Sequence, residues 1–165
     1  MLMMQQNKLM ELTPDKWGLL VYLSDHDAGV DLSTVKRFMN DIAKSRLVLA
    51  EDNLSVAEKL LKTGLSNRTV IHKSYYSMYH AARSATYLQM QLDVKEHRSL
   101  VGRFKKLLIR QFGDETLANQ MNKWRSMRIK CDYYPDVEVA EEMCGSAISD
   151  ASMIVDTCKS LVEEF

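Results

Sequence analysis

Residues Asp136–Phe165 read DVEVAEEMCGSAISDASMIVDTCKSLVEEF, with apolar side chains at Val139, Met143, Ala147/Ile148, Ala151, Ile154/Val155, Cys158 and Leu161/Val162. Steps of three and four mark one face of a helix, not the alternation of a strand. The stretch therefore predicts an amphipathic helix from about Asp136 to Phe165. Upstream, a fourth helix is expected from Asp114, carrying Leu117, Met121 and Trp124. It should fade near Lys130, because Pro135 disfavours helical backbone at Tyr134. A third helix is expected over about Val94–Phe112, with Leu100, Phe104, Leu107 and Leu108 inward and Gly113 ending it. A second spans about Ser66–Met90 and turns Val70/Ile71, Tyr75, Met78/Tyr79, Ala82, Ala85 and Leu88 to the core. The first begins near Asp31–Ser33, where Asp31 or Ser33 can cap free backbone N–H groups. Its stripe is Val35, Phe38/Met39, Ile42, Leu49, Leu54, Ala57 and Leu60/Leu61; a kink is expected near Glu51–Ser55, and Gly64 is its C-cap.

Short connections between such helices predict an all-α fold, an antiparallel helical bundle of four to five helices. The chain has only 6 Gly and 2 Pro, and both prolines (Pro14 and Pro135) lie outside the periodic stretches, which fits that reading. Residues 31–165 form the bundle. Residues 1–30 read as a partly ordered leader without chemistry, in which Trp17–Leu23 can dock on the body.

At 165 residues the chain predicts one domain, large enough to bury a core without staples. A hydrophobic content of 46% excludes an unfolded polar chain. Its 22 basic and 22 acidic residues cancel, which excludes a uniformly basic nucleic-acid coat. No run approaches the ~18 apolar residues of a membrane span, and the opening MLMMQQNKLMELTPDKW lacks a secretory apolar core. Cys131, Cys144 and Cys158 are an odd set with no CxxC and read as reduced thiols of a cytoplasmic protein.

Zero net charge hides an asymmetry. Residues 94–130 carry ten basic side chains against three acidic ones (Glu96, Asp114, Glu115), a local +7. Residues 131–165 carry nine acidic side chains against Lys159, a local −8. In one reading the acidic last helix packs beside the basic pair, and exposed ion pairs form that contribute below ~1 kcal/mol each. In the other, a strip stays open for phosphates, with Arg103, Lys106 and Arg110 on one helical stripe and Arg125 and Arg128 on the next helix. No aromatics alternate with these basic residues as a stacking platform would require.

Two blocks carry more specific information. One is His72-Lys73-Ser74-Tyr75-Tyr76-Ser77-Met78-Tyr79-His80-Ala81-Ala82-Arg83; the other is Arg128-Ile129-Lys130-Cys131-Asp132-Tyr133-Tyr134-Pro135. Between them lie Glu96-His97-Arg98-Ser99-Leu100 and Phe104. In this order they resemble the HEPN superfamily (higher eukaryotes and prokaryotes nucleotide-binding), in its small stand-alone prokaryotic branch. That branch shows N-R-x-Y-Y-A-x-F-H-A-A, then a histidine and a phenylalanine, then R-x-x-x-D-Y. The likeness covers roughly residues 45–165, with His72-Lys73 in place of Asn-Arg and Tyr79 in place of Phe.

The resemblance implies a homodimer and a role in RNA or nucleotide binding, RNA cleavage, or toxin–antitoxin and defence systems. A minimal nucleotidyltransferase is the implied partner; no cofactor or metal is implied. Active ribonucleases of the superfamily carry an R-x4-6-H motif. Here Arg128 is followed after four residues by Tyr133, and no histidine follows Arg128. Histidine has an ordinary pKa near 6.5 and can exchange protons at neutral pH. An unperturbed tyrosine, near 10, can donate a proton but is a poor base. Arg128 can still clamp a phosphate with its planar fork. The expectation is a nucleotide- or RNA-binding module with weak or no catalysis. Arg128, Asp132, Tyr133 and His97 are the candidate catalytic residues, Arg103, Lys106, Arg110, Arg125 and Arg128 the phosphate contacts, and Tyr76 and His80 further polar positions. Asp132 reads equally as a structural partner of Arg128. Of Tyr75 and Tyr76, one should fill the core and the other line a polar surface. The alternatives are an active metal-independent endoribonuclease using Arg128 with Tyr133 or His97, and a structural bundle presenting its acidic last helix to a partner.

Overall fold

The computed structural model describes residues 31–165 together with Val21, Asp25 and His26. The expected leader, with its docked Trp17–Leu23 piece, otherwise lies outside the described residues. Five helices follow: α1 Leu32–Thr63, α2 Asn67–Met90, α3 His97–Phe112, α4 Thr116–Tyr133 and α5 Glu141–Glu163. Among the described residues there is no strand.

Local chemistry sets the boundaries. The Asp31 carboxylate accepts from Ser33 N at 3.1 Å and starts α1, which runs unbroken through Glu51–Ser55 to Gly64 at φ 65°. The Ser66 hydroxyl accepts from Thr69 N at 3.3 Å and starts α2. Three helices begin later than the periodicity suggests. Glu96 accepts from Arg98 N (2.8 Å) and Ser99 N (2.6 Å), which starts α3 at His97 rather than Val94. Asp114 accepts from Thr116 N at 2.9 Å, so α4 starts at Thr116. It then passes Lys130 and ends at Tyr133, where extended backbone at Tyr134 precedes Pro135. The segment after Pro135 is held by side chains from α2, and α5 starts only at Glu141.

The expected inner stripes of α2 and α3 are buried as read; those of α4 and α5 are buried or packed against the core. On α1 the reading needs correction. Leu49 is exposed, and Ala43, Leu47 and Ala50 face inward instead. The alanines let α1 and α2 approach closely: Ser77 Oγ donates to Ala50 O at 2.8 Å and Ser84 Oγ to Ala43 O at 2.6 Å.

Helix α2 is the hub and packs against all four others. Around it α1 neighbours α5, α5 neighbours α4, and α4 neighbours α3, but α1 and α3 do not meet. Helices α1 and α2 run antiparallel, as do α3 with α4 and α4 with α5. The connection 91–96 doubles back along α2, where Tyr79 Oη donates to Lys95 O at 2.8 Å, and α3 then runs beside α2 in the same direction. Trp124, Tyr75, Tyr87 and Phe104 are the largest buried side chains, and each such burial contributes roughly 1.5–3 kcal/mol. Trp124 Nε1 donates to Asp150 Oδ2 at 2.7 Å, which satisfies its one donor. Cys131, Cys144 and Cys158 are free and buried.

Candidate functional site

On α2 the steps from His72 to Tyr76 to His80 place three rings on one face. All three are half-buried, whereas Tyr75, one position from Tyr76, is fully buried. The adjacent tyrosines thus divide as expected, one in the core and one on a polar surface. The Tyr76 ring centroid lies 4.7 Å from that of His72, 6.3 Å from His80 and 5.9 Å from His97, so three imidazoles surround it.

His97 is the first residue of α3 and stacks 4.4 Å from Tyr79. Its Nδ1 lies 2.7 Å from Tyr75 Oη. A buried hydroxyl needs an acceptor for its proton, and His97 Nδ1 is the partner it has. That assigns the tautomer with the proton on Nε2. Burial lowers the His97 pKa, the Arg128 charge lowers it further, and the Glu96 carboxylate only partly opposes them. Burial likewise lowers those of His72 and His80, so all three imidazoles are neutral at pH 7.

Arg128 reaches the cluster from α4. Its Nη1 donates to Asp132 Oδ2 at 3.0 Å, one helical turn on. Its guanidinium carbon sits 5.3 Å from the Tyr75 ring centroid and 5.8 Å from that of Tyr76, and Nε is buried without a hydrogen-bond partner. Burial opposes the charge, but the Asp132 bond and the tyrosines outweigh it and push the Arg128 pKa up. Arg125 lies near enough for its charge to act on Tyr75 and His97, and its Nε donates to Asn122 Oδ1 at 3.1 Å. The result is a fixed cation beside an aromatic ring and neutral imidazole donors, an arrangement suited to a phosphate with a base attached.

Arg128, Asp132, His97, Tyr76 and His80 are thus brought together, and Arg125 stands close by. Tyr133 stands apart: it is 74% exposed and makes no ring contact with the cluster. Arg103, Lys106 and Arg110 are exposed on α3. Their stripe runs away from His97, and Arg110, about 20 Å along the helix, donates to Gln89 O at 3.1 Å. The acidic last helix does not neutralise these residues. Among the described residues no ion pair joins a basic residue of α3 or α4 to an acid of α5, although α4 and α5 are neighbours; α3 and α5 do not meet. A groove of about 490 Å³ between α4 and α5, with Lys123, Trp124, Met127, Lys130, Glu142 and Met143 in its walls, contains none of the cluster's residues. Among the described residues no group of His, Cys, Asp and Glu could hold a metal ion, and no helix is long and apolar enough to cross a membrane.

Two devices beside the cluster escaped the sequence reading. Asp93, with a fully buried side chain, accepts from Arg83 Nε and Nη2 at 2.8 Å each and pairs with Arg46 Nη1 at 3.0 Å. Burial alone would raise the Asp93 pKa, but Arg83 and Arg46 outweigh it and hold it below the usual carboxylate range. This network fixes the 91–96 connection that delivers His97. The second device is Arg68, which donates to the carbonyls of Cys131 (2.8 Å), Tyr134 (3.0 Å), Pro135 (2.7 Å) and Val137 (2.6 Å). It ties the end of α4, which carries Arg128 and Asp132, to the start of α2. Arg83 stood at the end of a motif block as a signal; Arg68 had none, since its acceptors are backbone atoms.

No curated protein sequence matches the chain. The family model for the HEPN domain matches residues 43–161, well over half of the chain, and its span begins inside α1 and ends inside α5. With that match on an all-helical bundle, the chain belongs to the HEPN domain family.

Proposed function

We propose that the protein is a nucleotide- or RNA-binding module with weak or no catalytic power, and that it holds phosphate at Arg128. The observation that carries this reading is the state of that guanidinium. It is positioned over two tyrosine rings, bonded to a single carboxylate, and faced by imidazoles that stay neutral at pH 7. The homodimer, the minimal nucleotidyltransferase partner and the toxin–antitoxin or defence setting that the HEPN resemblance implies belong to the same reading. The test is RNA binding and cleavage at low salt with chelator present, wild type against Arg128→Ala. Binding without cleavage that weakens at least tenfold in the variant is the expected result. Neither binding nor cleavage would move the function to a protein partner.

A second reading, metal-independent RNA cleavage, is favoured by one observation: His97 stands in the cluster with Nε2 not engaged by Tyr75. In the assigned tautomer the neutral imidazole's Nε2–H can donate a hydrogen bond to a phosphate oxygen; protonating the leaving oxygen would require the imidazolium formed at lower pH, and a separate base would have to take the 2′-OH proton. Cleavage abolished by both Arg128→Ala and His97→Ala would establish this reading over the first.

A further inference from the structure

The ring of helices around α2 is open between α1 and α3. On one face of α2 the steps His72, Tyr76, His80 and Arg83 form a half-buried polar and aromatic strip, with Thr69 and Lys73 half-buried beside it. Each end of the strip is cationic. Arg128 stands over Tyr76 at one end. At the other, Arg83 and Arg46 share the single carboxylate of Asp93, which leaves one positive charge uncompensated with the Arg83 side chain 17% exposed. The carboxylates that act on the strip are all engaged: Asp132 with Arg128, Asp93 with the two arginines, and Glu96 with the start of α3. From Tyr76, where Arg128 stands, to Arg83 the helix rises about 10 Å. That spans about three charges of a stacked nucleic-acid strand, and fewer of an extended one.

We propose that this strip is a track for a single-stranded nucleic acid several nucleotides long, with a phosphate at Arg128, a base on Tyr76 between His72 and His80, and a second phosphate at Arg83 and Arg46. The proposal rests on the nucleotide- or RNA-binding reading and deepens it, because a mononucleotide reaches only one end. A duplex does not fit, since its bases are stacked on each other and unavailable to Tyr76.

The test is a length series on the wild-type protein: uridine monophosphate, then uridine oligoribonucleotides of two, three and six residues, a deoxy hexamer and a duplex, each titrated at several salt concentrations. Affinity should rise at least tenfold from the mononucleotide to the hexamer. The salt slope should steepen by about 0.7 for each added phosphate contact. Tyr76→Ala should weaken the hexamer about 5- to 150-fold, the range for one lost stacking contact. Arg83→Gln should weaken the hexamer by a clearly larger factor than it weakens the mononucleotide; if that variant does not fold, the wild-type length and salt series decide. Hexamer binding by RNA alone or by RNA and DNA alike supports the track and identifies which backbone it accepts. Equal affinity and equal salt slope for mononucleotide and hexamer would overturn the track and leave the Arg128 site standing, as would duplex binding as tight as single strand. Binding of no probe would overturn both readings.

Discussion

Arg68 and Arg128 both meet the last turn of α4, yet the two guanidiniums are used in opposite ways. Arg68 bonds four backbone carbonyls from Cys131 to Val137, and these join α2 to α4 and to the segment before α5. Arg128 bonds one carboxylate, lies over two tyrosine rings and leaves its Nε without a hydrogen-bond partner. The side chains have the same charge and the same five donors. The difference is how many donors remain once the fold is complete. A guanidinium whose two Nη groups are both engaged by carbonyls holds a loop; one that keeps Nη2 unbonded beside an aromatic platform is available to an anion. Burial alone would not separate them, since only 12% of the Arg128 side chain is exposed.

The contrast can be sharpened with the third arginine arrangement, the pair closed by Asp93. Asp93→Asn leaves the buried Arg46 and half-buried Arg83 guanidiniums without their carboxylate and should cost about 3–5 kcal/mol in urea unfolding. A cost below about 1 kcal/mol would mean that water replaces the carboxylate. Because the folded pKa of Asp93 is depressed, its contribution is present above the ordinary carboxylate pKa and lost as pH falls through the depressed one. Arg68→Met should cost about 2 kcal/mol, since several charge-assisted bonds go at once while the freed carbonyls regain water. Arg128→Met should cost under about 1 kcal/mol of stability, as a partly exposed i,i+4 pair does, yet weaken RNA binding at least tenfold. If Arg128→Met destabilises as much as Arg68→Met, the distinction between a structural and an available guanidinium fails.

The smallest expected effect is in pH. His72, His80 and His97 have folded pKa values below the ordinary 6.5, so each gains its proton only as pH drops below that value. Each proton adds positive charge, beside Arg128 at His72 and His97 and beside Arg83 at His80, so RNA affinity should rise several-fold between pH 7.5 and about pH 5.5. Stability runs the other way: the contribution of a depressed histidine is present above about 6.5 and is lost as pH falls, because protonation is harder in the folded state. NMR titration of the imidazoles with and without RNA checks both signs. Histidines titrating above 6.5 in the free protein would contradict the burial that defines the cluster.

The helices themselves were legible because their apolar period is long and repeated, and the inner faces of α2 and α3 fell where the period placed them. Their starts were not, because Glu96 and Asp114 cap later positions and Arg68 and Asn67 hold the segment before α5. On α1 the inner face was misread at Leu49, since its contact is made by alanines, which carry little hydropathy. The residue types of the site were visible in the motif blocks. Their convergence was not, for it depends on the connection 91–96 turning back and bringing His97 to Tyr75. The open stripe on α3 showed the opposite failure: Arg103, Lys106 and Arg110 share a face as read, but that face leads away from the cluster.

The hub helix also meets the last helix head to head: Asn67 Nδ2 donates to Val139 O and Gln89 Nε2 to Leu161 O, each across 72 residues of chain. Closing loops of that length costs entropy that grows with the logarithm of their size, and it slows folding relative to contacts between sequence neighbours. Helices α1 and α2, joined by three residues, can pair as soon as both exist. The face of α2 that α5 covers cannot be sealed until residues 141–163 have been synthesised. During translation the nascent chain therefore carries an apolar surface until α5 has emerged, and that is the interval in which a chaperone's hold would decide between folding and aggregation.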